Sequence, residues 1–215
     1  MLMSTMDAFG EGSVRGFLYR PANANADGPG LVLTHGAGGN CNAPLLIAVA
    51  DTFCAAGWWV LRCDLPFRQR RRFGPPSPAT AAQDRDGLRG AVAAMRKLTS
   101  GPVILGGHSY GGRQATMLAA EAPGIANTLL LLSYPLHPPG KPERVRTGHF
   151  PSLRTPALFM HGTKDPFGTI EEMRGDLQLI PARTEIAVVE GAGHDLMRGK
   201  FDIGQLMLAP LRNLL

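Results

Sequence analysis

The pentapeptide Gly107-His108-Ser109-Tyr110-Gly111 stands between an apolar run, Pro102 to Leu105, and a helix-forming run, Arg113 to Ala122. A strand that turns straight into a helix bends sharply, and the residues two places either side of the tip must have almost no side chain. Gly107 and Gly111 meet that need, so Ser109 sits at the tip with its hydroxyl pushed clear of the sheet. The five residues alone would mean little in a chain with 27 glycines among 215 residues, where a serine can simply cap the helix that follows. The strand before and the helix after give the pattern its weight.

The same alternation runs along the chain. Short apolar runs at Val14–Tyr19, Leu31–Thr34, Trp58–Arg62, Pro102–Leu105, Thr128–Ser133, Ala157–Met160 and Glu185–Val189 read as strands, most of them continuous enough to be buried on both faces. Helical stripes lie between them: Leu45, Leu46, Val49 and Phe53, then Leu88, Ala91, Val92, Met95 and Leu98. Thr169 with Glu172 reads as a capping box opening a helix with Ile170, Met173, Leu177 and Ile180 on its apolar face. A last helix is expected to use Phe201, Leu206 and Leu208, broken or kinked by Pro210. The expected architecture is a single α/β domain over 1–215, a mostly parallel twisted sheet with helices on both faces and no separate cap domain.

The residues 1–20 show no charged region leading into an apolar one, and no apolar run approaches the roughly 18 residues of a membrane span. A cytoplasmic protein without a membrane partner is expected. Cys41, Cys54 and Cys63 have no metal-ligand spacing and read as reduced, buried thiols; Cys41 alone lies in a loop near the expected chemistry. No metal and no cofactor is expected. The net charge of +5 permits nucleic-acid contact without demanding it, and no such partner is expected.

A serine hydroxyl becomes a useful nucleophile only beside a base that a third group orients. After Ala157–Met160 comes His161-Gly162-Thr163-Lys164-Asp165, and after Glu185–Val189 comes Glu190-Gly191-Ala192-Gly193-His194-Asp195. His194, in its glycine-rich loop, is the expected general base. Asp165 is the expected orienting acid, against Asp195, whose sequence position next to His194 suits it badly, and Asp64 after an earlier strand. His108, within the elbow, is expected to point away. The charge developing on a carbonyl oxygen needs backbone N–H donors. Tyr110, directly after Ser109, should supply one and Ala37 the other, from the loop His35-Gly36-Ala37-Gly38-Gly39-Asn40, where Gly36 and Gly38 let the backbone approach substrate. That loop lacks the order of a phosphate-binding turn.

These residues together, from Leu31 to His194, resemble the α/β-hydrolase superfamily, in which the three reactive residues follow the order Ser109, Asp165, His194. The pairing of His35-Gly36-Ala37-Gly38-Gly39-Asn40 with Pro66-Phe67-Arg68 to Arg72 is similar to a small dienelactone-hydrolase-like branch, which includes regulatory subunits of a chromatin acetyltransferase complex. The resemblance implies a serine hydrolase acting on an ester, thioester or related acyl bond of a small molecule. Dienelactone hydrolases proper carry Cys at the elbow, and Ser109 departs from that. Because the branch includes scaffolds, a weak or inactive hydrolase-fold binding protein using its arginine run is the alternative reading.

Loops after parallel strands border one crevice. Arg68, Arg70, Arg71 and Arg72 follow the strand Trp58–Arg62 and are expected to rim the site and favour anionic acyl substrates, together with the proline-rich segment Tyr134–Pro156.

Overall fold

The computed structural model describes residues 4–196 and 202–215. Its strands are β1 (Thr5–Glu11), β2 (Val14–Arg20), β3 (Gly30–Thr34), β4 (Trp59–Cys63), β5 (Val103–His108), β6 (Thr128–Leu132), β7 (Ala157–Gly162) and β8 (Thr184–Val189). Its helices are α1 (Pro44–Ala55), α2 (Pro66–Arg70), α3 (Ala81–Leu98), α4 (Tyr110–Glu121), α5 (Ile170–Leu177) and α6 (Ile203–Leu214). The strands form one eight-stranded sheet ordered β1-β2-β4-β3-β5-β6-β7-β8. β1 with β2 and β2 with β4 pair antiparallel, and every pair from β4 to β8 is parallel. This is the α/β-hydrolase fold, and no separate cap domain is seen among the described residues.

The continuous apolar runs are explained by cover on both faces. Leu31 and Leu33 pack with α1 and α6 residues, whereas Val32 between them packs with Leu88, Val92 and Met95 of α3. The same alternation divides Leu129 and Leu131 from Leu130 and Leu132. Each leucine so buried contributes roughly 1.5–3 kcal/mol. The capping box of Thr169 and Glu172 is formed in both directions at the start of α5.

Three features depart from expectation. β1 has no buried face, so it carries no alternation to detect; it is an exposed edge strand joined to β2 through Gly12, whose φ is 54°. In α6 the fully covered side chains are Met207 and Leu211, while Leu206 and Leu208 are half-buried, and Phe201 lies outside the described residues. Pro210 lies within α6 without ending it.

The topology fixes what can meet. The loops after β3, β5, β7 and β8 all leave the carboxyl edge of the parallel strands, bringing His35 to Asn40, Ser109, Asp165 and His194 to one side.

Candidate active site

Ser109 links β5 directly to α4, with φ 50° and ψ −114°. That bend needs space. A Cβ on Gly107 would lie 2.6 Å from the Gly111 carbonyl carbon, and one on Gly111 would lie 2.5 Å from the His35 carbonyl oxygen. Both glycines are therefore required by close backbone approach rather than by a turn preference. The Ser109 N–H donates to the Leu132 carbonyl at 2.8 Å, continuing the sheet ladder through the bend.

His194 Nε2 lies 2.8 Å from Ser109 Oγ, and His194 Nδ1 lies 2.8 and 3.0 Å from the two oxygens of Asp165. A carboxylate can only accept, so Nδ1 carries the proton and Nε2 accepts the Ser109 O–H. Burial alone would raise the Asp165 carboxyl, but the hydrogen bond and charge of His194, with the N–H of Phe167, outweigh it and hold the group below its ordinary range. His161 lies beside Asp165, its Nε2 3.9 Å from Oδ2, and its Nε2–H donates to the Gly168 carbonyl at 2.8 Å.

Two loops must stay together for this geometry. Thr163 N–H donates to Val189, Lys164 N–H to Ala192 and Gly191 N–H to Thr163 Oγ1. At Gly162 a Cβ would lie 2.3 Å from the Ala192 carbonyl oxygen. The imidazole itself is clamped by rings. Phe167 stacks on His194 with centroids 4.1 Å apart, and His108 tilts against it at 5.1 Å while its Nε2–H donates to the His194 carbonyl at 2.8 Å. His108 thus points toward the reactive group, not away from it, because the His194 carbonyl accepts its ring proton. Phe167 belongs to no motif; its one signal in the sequence is its place two residues after Asp165.

Asp64 and Asp84 are committed elsewhere. Asp64 accepts the Cys41 N–H, and buried Asp84 accepts the Phe67 N–H and the Tyr110 hydroxyl. His35 accepts the Leu65 N–H on Nε2 and donates from Nδ1 to Gly36, and burial keeps its ring neutral. Burial, with Asp64 nearby, pushes the Cys41 thiol up to about 12, so it is no nucleophile near neutral pH.

Ala37 and Tyr110 flank Ser109 in one cavity of about 540 Å³. Tyr110 opens α4, where the first N–H groups have no intrahelical acceptor, and no acceptor among the described residues meets the Ala37 N–H. Gly36 and Gly38 do not line that cavity: Gly36 is pressed against His108 and Gly38 faces open space.

The arginine run is placed differently from the expected rim. Arg68 is buried, its guanidinium donating to the carbonyls of Gly39, Ala37, Arg71, Arg72 and Gly74, because five carbonyls converge where two loops meet. Arg70 bonds Gln83, Arg71 bonds the Pro75 carbonyl and Arg72 lies over the Phe73 ring. None of the four lines the Ser109 cavity. It is lined instead by Pro75, Pro76 and Pro78, by Pro135 and Arg146 of the expected proline-rich segment, and by Arg113 and Gln114 of α4.

A strand-elbow-helix unit with a serine, an imidazole and a carboxylate at one sheet edge defines the class. The family model for the alpha/beta hydrolase domain matches residues 27–204, and the chain belongs to that family. Its fold is shared with a dienelactone hydrolase from Anabaena variabilis at 20% identity and a TM-score of 0.73, covering 99% of this chain and 96% of that one. An a/b serine hydrolase without lid from Xanthomonas campestris matches at 16% identity and a TM-score of 0.72, covering 99% and 95%. An alpha-beta serine hydrolase homologue from Coxiella burnetii matches at 17% identity and a TM-score of 0.69, covering 98% and 97%. No helix among the described residues is long and apolar enough to cross a membrane.

Proposed function

We propose that the protein is a serine hydrolase, carboxylesterase-like, that cleaves an ester, thioester or related acyl bond of a small molecule through an acyl-enzyme. The observation that carries this reading is the continuous hydrogen-bonded line from Asp165 through His194 to Ser109, with each link at 2.8 Å. Ser109 Oγ attacks the carbonyl carbon while His194 Nε2 takes its proton. Asp165 keeps the proton on Nδ1 and stabilises the imidazolium that forms. The oxygen that becomes negative is met by the N–H groups of Ala37 and Tyr110. His194 then protonates the departing alcohol or thiol, and afterwards removes a proton from the water that releases the acid.

The reading places the enzyme in the cytoplasm, where three unpaired, buried thiols suit a reducing compartment. A fluorophosphonate probe tests the chemistry directly, since it is captured only by an activated serine. Wild-type protein should be labelled on Ser109 and hydrolyse short-chain esters, and Ser109→Ala should lose labelling and at least about 10⁴-fold in kcat. An unlabelled wild type, or equal labelling of Ser109→Ala, would refute the reading.

A further inference from the structure

The cavity beside Ser109 holds two guanidinium groups without a counter-ion. Arg113 is one helical turn beyond Ser109, its N–H donating to the Ser109 carbonyl at 3.0 Å, so its side chain leaves the same face of α4 about 6 Å further along the axis. Arg146 also lines it, from the proline-rich segment, where its own carbonyl is held by the Tyr134 hydroxyl at 2.7 Å and its N–H by the Leu136 carbonyl at 2.8 Å. Neither forms an ion pair with a carboxylate among the described residues. Burial and the nearby Arg113 charge together push the Arg146 guanidinium below its ordinary value.

The donors are answered only in part: Arg146 Nη1 reaches the Pro135 carbonyl at 3.4 Å, and the Arg113 guanidinium hydrogen-bonds the Tyr134 hydroxyl. Arg113 Nε is buried with no acceptor among the described residues. Gln114, 0% exposed, has its Oε1 occupied by Arg85, which fixes the amide and leaves Nε2 as a second buried donor without an acceptor. Two like charges close enough to act on each other repel, and buried donors left unpaired are costly; a single oxyanion would relieve both. Proline-lined walls around them leave an otherwise apolar cavity.

We infer that Arg113 and Arg146, with Gln114, form a subsite for a carboxylate on the substrate, a few bonds from the acyl carbon that Ser109 attacks. The inference rests on the hydrolase reading for its catalytic consequence, and it selects half-esters of short dicarboxylic acids over neutral esters of the same length. The preference belongs to this pair and not to Arg68 to Arg72, which are bonded outside the cavity.

Monomethyl glutarate and methyl valerate form a matched pair, alike in acyl length and leaving group and differing in the terminal carboxylate. By proton release, the wild type should favour monomethyl glutarate in kcat/KM by about 10-fold or more, and Arg113→Gln and Arg146→Gln should each lower that ratio by about 10-fold, mainly through KM. Arg113→Lys keeps the charge without the fork; it should retain part of the preference, which also reports that the site still folds. Equal kcat/KM for the two esters in the wild type, or a ratio unchanged in both Gln variants, overturns the subsite while leaving the hydrolase reading intact. If neither ester is cleaved and no probe label appears, the hydrolase reading falls, and calorimetric titration of glutarate and of inorganic phosphate decides the subsite alone. Glutarate binding that is lost in Arg113→Gln and Arg146→Gln sustains it; phosphate bound in preference to glutarate, or no glutarate binding at all, overturns it.

Discussion

Arg68→Met separates a positioning role for Arg68 from a substrate-reading one. Three of the bonds from its guanidinium are short, 2.7 Å to Gly39, 2.8 Å to Ala37 and 2.7 Å to Arg72, and two of these acceptors belong to the loop that carries the Ala37 N–H. A hydrogen bond from a charged donor contributes about 1.5–3 kcal/mol. Taking the low end for three bonds, and halving it because released carbonyls regain water, the expected loss of stability is about 2–3 kcal/mol. Catalysis should suffer as well, since an oxyanion donor that is lost outright costs about 2.7–4 kcal/mol and a loosened one a fraction of that, about 10- to 100-fold in kcat. Urea unfolding followed by fluorescence gives the first quantity, and hydrolysis of methyl valerate gives the second. Because methyl valerate has no charge, a substrate-reading Arg68 would leave its turnover alone and affect only anionic esters. An unfolding midpoint unchanged from wild type together with kcat within twofold on methyl valerate would refute the positioning role. Arg68→Lys keeps the charge but cannot fork across the two loops, and should fall between the two.

Gly162→Ala places a Cβ 2.3 Å from the Ala192 carbonyl oxygen, forcing the Asp165 and His194 loops apart; kcat on methyl valerate should drop by more than about 100-fold, and a variant keeping half of wild-type turnover would sink this account. Acid should destabilise the protein well before its carboxylates protonate. Burial lowers the rings of His35, His108 and His149, the last to about 4, so between about pH 6.5 and 4 the unfolded chain binds protons at these three that the folded one refuses; His137, raised by the Pro138 carbonyl and Glu172, works the other way, and with three rings against one stability falls with pH. Asp165, held below its ordinary value, adds a loss only at lower pH, below about 3.9. Melting temperatures measured from pH 7.5 to 4.5 should fall steadily, with a shallower slope in His149→Gln; a level wild-type profile would contradict it.

The strands from Leu31 to Met160 are legible because most are apolar on both faces and bounded by glycine or polar loops, which leaves little else for the chain to do. The residues of the site are legible for a related reason: a parallel sheet sends every strand's carboxyl end to one side, so a serine, an aspartate and a histidine after three strands converge without any knowledge of distances. β1 is illegible because an exposed edge strand has no buried face to impose a pattern. The arginines mislead for a different reason. Arg68 and Arg113 are the same residue type in helices near the same crevice, but whether a guanidinium is consumed by backbone carbonyls or left facing a cavity depends in part on distant partners, as with Ala37 and Gly39, 31 and 29 positions before Arg68. His108 is a similar case, since its direction is set by the loop 86 residues further on that accepts its proton.

Backbone strain gives the last piece of this picture. Among the described residues, the non-glycine residues with left-handed φ are Ser109 at 50°, Ser133 at 49° and Leu196 at 53°. All three follow the carboxyl ends of strands that frame the site: Ser109 after β5, Ser133 after β6, and Leu196 two places beyond His194. Each such conformation costs on the order of 1–3 kcal/mol and persists only where surroundings over-determine it. They do so here. Ser109 N–H donates to Leu132 and Ser133 N–H to Met160, both at 2.8 Å, so the ladder of three neighbouring strands runs through the two strained serines. Leu196 is 0% exposed, locked into the core against the α6 side. A Ser109 relaxed into ordinary extended backbone would turn its hydroxyl toward a sheet face and lose His194. The 2.8 Å contact between Oγ and Nε2 is therefore enforced by β5, β6 and β7 together, with the three reactive residues supplying chemistry and the sheet beneath supplying alignment.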